Sequence, residues 1–253
     1  MLAIARWTLG AVLIGGVACS PRPKDQGVKT SSDWGTSASP SSEAAARRDH
    51  SMIRVVNTVA GRTKVTLLAD NQPLFDNVAS SEVTPYKEVH DNAVKFSVRR
   101  SDQATASGEE VNREVMADGE RYTAVVLSDS AGQTSGLRML RDELVPDSGK
   151  ARIRVIHAAP GTGEVDVILA GQSDDLFSGI NFGNEAGFKD VTPASGTLEI
   201  RRKNEQLLLT SVKMPKLLPG VAYTVVLVGG PKTKLTTITF EDRARPVDVS
   251  LNP

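Results

Sequence analysis

One cysteine, three histidines and an aromatic content of 4% are what this 253-residue chain has least of. A single thiol forbids an internal disulfide, so every folded part must stand on packing alone. Scarce aromatics leave an aliphatic core, and the Val and Ile that supply it suit a pleated, half-buried surface. Thirty basic residues balance thirty acidic ones. The whole-chain field therefore gives no reason to expect nucleic acid as a partner. His50, His90 and His157 share no metal-ligand spacing with one another or with Cys19, so no metal and no cofactor is expected. No glycine loop opens a helix to cradle phosphate, and no Gly-x-Ser-x-Gly elbow is present. What the chain does have is 40% apolar residues, enough for a sizeable core.

The first of these lies in the leader "MLAIARWTLGAVLIGGVAC". Arg6 gives a positive start, Trp7 to Ala18 form a short uncharged run, and small residues follow: the layout of a signal peptide over 1–18. The run is too short to span a bilayer. "GVAC" resembles the lipobox of bacterial lipoproteins; Val17 and Ala18 fit it, while Gly16 stands where Leu is usual. The resemblance implies that Cys19 is lipidated and begins the mature chain, and that Ser20 after it directs sorting to an outer membrane where the cell has one. Two or more acyl chains suffice for stable attachment. Residues 19–50 are rich in Ser and Pro, without periodicity, and read as a disordered linker about 30 Å in average end-to-end length.

The rest is a repeat. "MIRVVNTVAG" at 52–61 matches "RIRVIHAAPG" at 152–161, "KFSVRR" at 95–100 matches "TLEIRR" at 197–202, and "ERYTAVVL" at 120–127 matches "VAYTVVLV" at 221–228. The offset stays between 100 and 102 residues. Within each copy the apolar period is two, and Gly, Pro, Asn and Asp clusters punctuate the runs, as short strands require. The expected fold is all-β: two tandem immunoglobulin-like antiparallel β-sandwich domains, at 51–143 and at 150–253, the second carrying a C-terminal tail whose Val247, Val249 and Leu251 could extend a sheet edge.

At "RIRVIHAAPGTGEVDVILAG", "FKDVTPASGTLEIRR" and "LLPGVAYTVVLVGG" the sequence resembles a bacterial family, the domain of unknown function numbered 4397. The second copy keeps His157, Pro160, Asp166, Gly196 and Tyr223; the first has Asn57, Ala60 and Thr66 at the first three of these positions. The resemblance implies a secreted or envelope-bound protein, often with tandem copies, and no established activity.

His157 and Asp166 are the two candidate binding residues. Joined to a serine they would suggest a hydrolase, but the first copy lacks both, and a role in satisfying backbone groups where strands meet fits better. The acidic groups "SDD" (173–175) and "FED" (240–242) lack the density of a calcium loop. Arg54, Arg99, Arg152, Arg154, Arg201 and Arg202 read as outward strand faces that keep the sheets soluble, or as a grip for an acidic glycan. Tyr122 and Tyr223 read as corner tyrosines bonded to nearby backbone. The expectation is thus a non-enzymatic, lipid-anchored cell-envelope module with binding, adhesive or structural duty, exported to the periplasm or cell surface. Its partners would be the membrane, through Cys19, and an envelope protein or glycan meeting the loops or the cleft between the domains. An envelope hydrolase using His157 and Asp166, or an accessory subunit of an envelope assembly, are the alternatives.

Overall fold

The computed structural model describes residues 50–243, apart from 62, 91–92, 104–113, 206 and 232. The leader, Cys19, the linker up to residue 49 and the tail from 244 lie outside the described residues.

Alternating apolar runs become seventeen strands, with no helix among the described residues. The first repeat holds β1 (Ser51–Asn57), β2 (Val65–Ala69), β3 (Gln72–Val78), β4 (Lys87–Val89), β5 (Ala93–Val94), β6 (Phe96–Arg100), β7 (Glu114–Val115), β8 (Arg121–Ser128) and β9 (Thr134–Arg141). The second holds β10 (Ala151–His157), β11 (Val165–Leu169), β12 (Asp175–Ile180), β13 (Lys189–Val191), β14 (Gly196–Arg202), β15 (Leu208–Met214), β16 (Val221–Gly230) and β17 (Thr233–Arg243). Each repeat is a sandwich of two main sheets, to which the first adds the two-stranded pair β5-β7. One has the order β4-β1-β8-β9, or β13-β10-β16-β17; the other is β3-β2-β6, or β12-β11-β14-β15. Ile53, Val55, Leu67, Phe96 and Val126 fill the first sandwich. Ile153, Val155, Val167, Leu198, Ile200 and Leu227 fill the second.

The sheets are not purely antiparallel, which corrects one part of the sequence expectation. β1 runs parallel to β8, and β10 runs parallel to β16, each over six paired residues. Parallel neighbours need a long crossover. Here the chain supplies it by building the other sheet before returning to the first.

A second correction concerns the outer faces of those sheets. Val56, Val125 and Leu127 of the first repeat pack with Ile156, Ala158, Val226 and Val228 of the second in a third apolar cluster. The central strands of both large sheets are therefore buried on both sides, which is why "TAVVL" and "TVVLV" carry no polar alternation. The two sandwiches meet sheet to sheet at this cluster. Between the loop ends, around Ala60, Asp129, Pro160 and Gly230, a concavity of about 60 Å³ is left.

Candidate functional site

His157 closes β10 and is fully buried. Its Nε2 lies 2.8 Å from the Gly163 carbonyl oxygen, and its Nδ1 accepts the Ala159 amide at 3.2 Å. One nitrogen donates and the other accepts, so the ring is held neutral in a single tautomer. Burial lowers its pKa, and the Gly163 carbonyl opposes this only in part. Phe182 covers the ring edge-on, with centroids 6.2 Å apart.

The first repeat makes the two matching bonds, and one more, with a different side chain. Asn57 Nδ2 donates to the carbonyls of Thr63 and Val78, and its Oδ1 accepts the Val59 amide at 3.0 Å. An amide that does not ionise near neutral pH thus replaces the imidazole.

Asp166 behaves in parallel. Its Oδ1 accepts from the Ser178 hydroxyl at 2.9 Å and from the Gly179 amide at 2.8 Å, pinning β11 to β12 where the register shifts between Val165 and Val167. In the first repeat the partners have changed strands: Thr66 on β2 donates to Asp76 on β3, across the equivalent register shift. The hydroxyl–carboxylate bond is kept while acid and alcohol trade places. The hydrogen bonds of His157 and Asp166 thus go to their own loops and to the neighbouring strand, not to each other.

The basic residues are where expectation and structure part most sharply. Arg54 and Arg154 do not face solvent; their relative exposures are 4% and 0%. Both point into the seam between the repeats. Arg54 donates twice to Asp242 of the other repeat, at 2.8 Å each, and once to Thr123. Arg154 reaches the other way, to Asp142 at 2.5 Å, and donates to Thr224 of its own repeat. The two arginines, the two aspartates and the two threonines are related by the repeat offset, so each repeat lends its arginine to the other's acid. Asp242, in the "FED" group weighed for calcium, is committed to this pair. No cluster of three metal-ligating side chains occurs among the described residues.

The seam is reciprocal but not identical. Tyr86 donates to Asp142 at 2.6 Å, whereas Phe188, in the matching place, has no hydroxyl to offer. Burial and the nearby Asp142 charge push the Tyr86 pKa above the ordinary phenol value, so it remains a donor. Glu185 supplies Arg154 with a further acceptor at 3.3 Å, where the first repeat has apolar Val83. Burial raises the Glu185 pKa, with Arg154 pulling against it. Burial alone would disfavour the charge on Arg54, but the bond to Asp242 and the surrounding acids carry its pKa above the ordinary value. Both guanidinium groups also lie over rings: Arg54 over Phe240 at 4.4 Å, Arg154 over Phe188 at 4.6 Å. Each of these described charges has an ionic partner, and both guanidinium groups have a packed face, the condition for tolerating buried ions.

The corner tyrosines stand as expected: Tyr122 accepts the Ala117 amide and Tyr223 the Leu218 amide, each five residues upstream at 3.0 Å. Asp142 was missed because it lies just past the end of β9, at the edge of the first domain, where no strand alternation marks it. The signal that could have found it is its spacing of 100 residues from Asp242, the same as that between the arginines.

Comparison with known proteins places part of this chain. Residues 51–168 match the family model described as Domain of unknown function (DUF4397), a span covering the first sandwich and the opening strands of the second. No curated protein matches the chain. Among solved structures, the C-terminal domain of AlgF from P. aeruginosa is similar at 16% identity over 37% of this chain and 99% of its own, with a TM-score of 0.31. A family 26 carbohydrate-binding module from Eubacterium rectale, in complex with maltoheptaose, is similar at 11% identity over 74% of this chain and 96% of its own, with a TM-score of 0.26. Likeness at these scores carries nothing about ligand or activity. It is the match over 51–168 that supports kinship with the domain-of-unknown-function family.

Proposed function

We propose that this chain is a lipid-anchored, non-catalytic module of the bacterial cell envelope that binds or bridges partners as one rigid body. The observation that carries the non-catalytic reading is the equivalence of His157 and Asn57. A hydrolase would need the imidazole free to take a proton from a nucleophile. Both ring nitrogens are instead engaged with backbone, in bonds that an asparagine reproduces in the sister repeat. Rigidity follows from the exchanged arginine pairs, which couple the repeats more firmly than a bare linker would. The envelope location rests on the lipobox-like "GVAC" and the linker after it.

Cross-linking in intact cells tests the reading, with wild type and Cys19→Ser compared. A reproducible neighbour captured from the membrane fraction by wild type and lost in the Ser variant supports a membrane-held binding module. Soluble fractionation of both proteins alike overturns the anchor. Hydrolytic turnover of an envelope ester or amide by wild type that His157→Asn abolishes would overturn the non-catalytic reading.

A further inference from the structure

The second sandwich is open at one end. Between its sheets lies a cavity of about 290 Å³ whose walls include Leu169, Leu176, Leu198, Met214 and Leu217. Ile153 is also part of the lining, and Gln172, Thr192 and Ser195 are its polar members. Among the described residues, no charged side chain lines it, and no aromatic one.

The first repeat shows what fills such a space when nothing else does. In the aligned positions it has Ala69, Val94 and Phe96, where the second has Leu169, Gly196 and Leu198. The first set carries three more side-chain carbons than the second. Val94 and Phe96 are buried at 1% and 0% exposure, and Phe96 faces Ala69 across β2 and β6. In the second repeat Leu169 leans over Gly196 so closely that a Cβ there would lie 2.7 Å from its Cδ1. The Phe96 ring is buried in the core of the first sandwich, the second has Leu198 in its place, and the cavity there is lined by aliphatic groups.

We propose that this cavity binds the end of an unbranched aliphatic chain bearing a neutral polar head. A volume near 290 Å³ accommodates on the order of ten methylene-sized groups, taking about 30 Å³ for each as for a water molecule. Aliphatic walls favour a chain over a planar ring, and Gln172, Thr192 and Ser195 offer neutral donors and acceptors to a hydroxyl, ester or amide. That no charged side chain lines it among the described residues disfavours a carboxylate or phosphate buried with the chain. The proposal depends on neither the anchor at Cys19 nor the role of His157.

The test is a methyl NMR titration of the folded protein with 1-octanol, below its solubility limit. The expected result is saturable movement of the Leu169, Leu176 and Met214 methyl signals, with Leu74 and Val94 of the first repeat unmoved. The triple variant Leu169→Ala, Gly196→Val, Leu198→Phe gives the second repeat the first repeat's plug, and the alanine removes the clash at residue 196. It is expected to weaken the titration at least tenfold. Should that variant fail to fold, Ser195→Trp at the polar part of the lining serves the same purpose. No movement of the cavity methyls in wild type overturns the proposal. So does movement shared by both repeats, or movement that survives the plug, since either means unspecific association.

Discussion

The two repeats solve the same structural problems with different residues, and the differences separate what the fold requires from what it merely permits. At the end of the first strand, Asn57 and His157 make matching bonds. The requirement is one donor and one acceptor, not a titratable ring. At the second strand, Thr66–Asp76 and Asp166–Ser178 exchange acid and hydroxyl. The requirement is the bridge across the register shift, whichever side carries the charge. The seam keeps Arg, Thr and Asp in both copies, so there the chemistry itself is held. At the sandwich mouth the copies diverge in volume, with Phe96 against Leu198 and Val94 against Gly196.

The most damaging way to break this comparison is at the seam. Arg154→Ala should cost about 3 kcal/mol, because buried Asp142 loses its nearer guanidinium and keeps only Arg54, at 3.7 Å, as a cation. Chemical denaturation of wild type and variant measures it, and a loss under about 1 kcal/mol would mean that the seam is not closed to water.

A smaller effect is expected at His157. Alanine there strands the Ala159 amide and the Gly163 carbonyl, at a cost of roughly 1–3 kcal/mol. Asparagine, copying the first repeat, should recover most of that loss in the same denaturation experiment. The pH dependence sharpens the contrast. A histidine whose folded pKa is lowered binds fewer protons folded than unfolded, so stability rises with pH across that interval. Wild type should therefore lose stability as pH falls below about 6.5, the ordinary histidine value, while His157→Asn loses that contribution. Parallel curves for the two proteins between pH 7 and 5 would contradict the buried neutral ring.

The smallest effect belongs to Tyr86→Phe, which makes the first repeat resemble the second at Phe188. It removes one bond to Asp142, which keeps Thr123 and Arg154 as partners. A loss of about 1–2 kcal/mol is expected by thermal unfolding.

Much of this was legible from the chain. The period-two runs, the 100–102 offset and the corner tyrosines all follow from local rules, and the structural reading of His157 and Asp166 followed from their loss in the first copy. The seam was not legible in the same way. In "RIRVIH" the face carrying Arg152 and Arg154 alternates with an apolar face, and alternation is what a solvated strand shows. Ile156 on that face was the discordant residue. It marks a surface that is covered only when a segment some 100 residues away folds against it. The parallel pairing was hidden for a related reason, since strand direction is set by the crossover and not by the strand. The open mouth depends on three side chains that meet only across paired strands.

The exchanged arginines join two sandwiches into one unit, and calorimetry of the folded protein is the direct test. The expected result is one unfolding transition, with the calorimetric enthalpy equal to the van't Hoff enthalpy. In Arg154→Ala that transition should move to lower temperature or divide. Two separate transitions in the wild-type protein, each with the enthalpy of one sandwich, would contradict it.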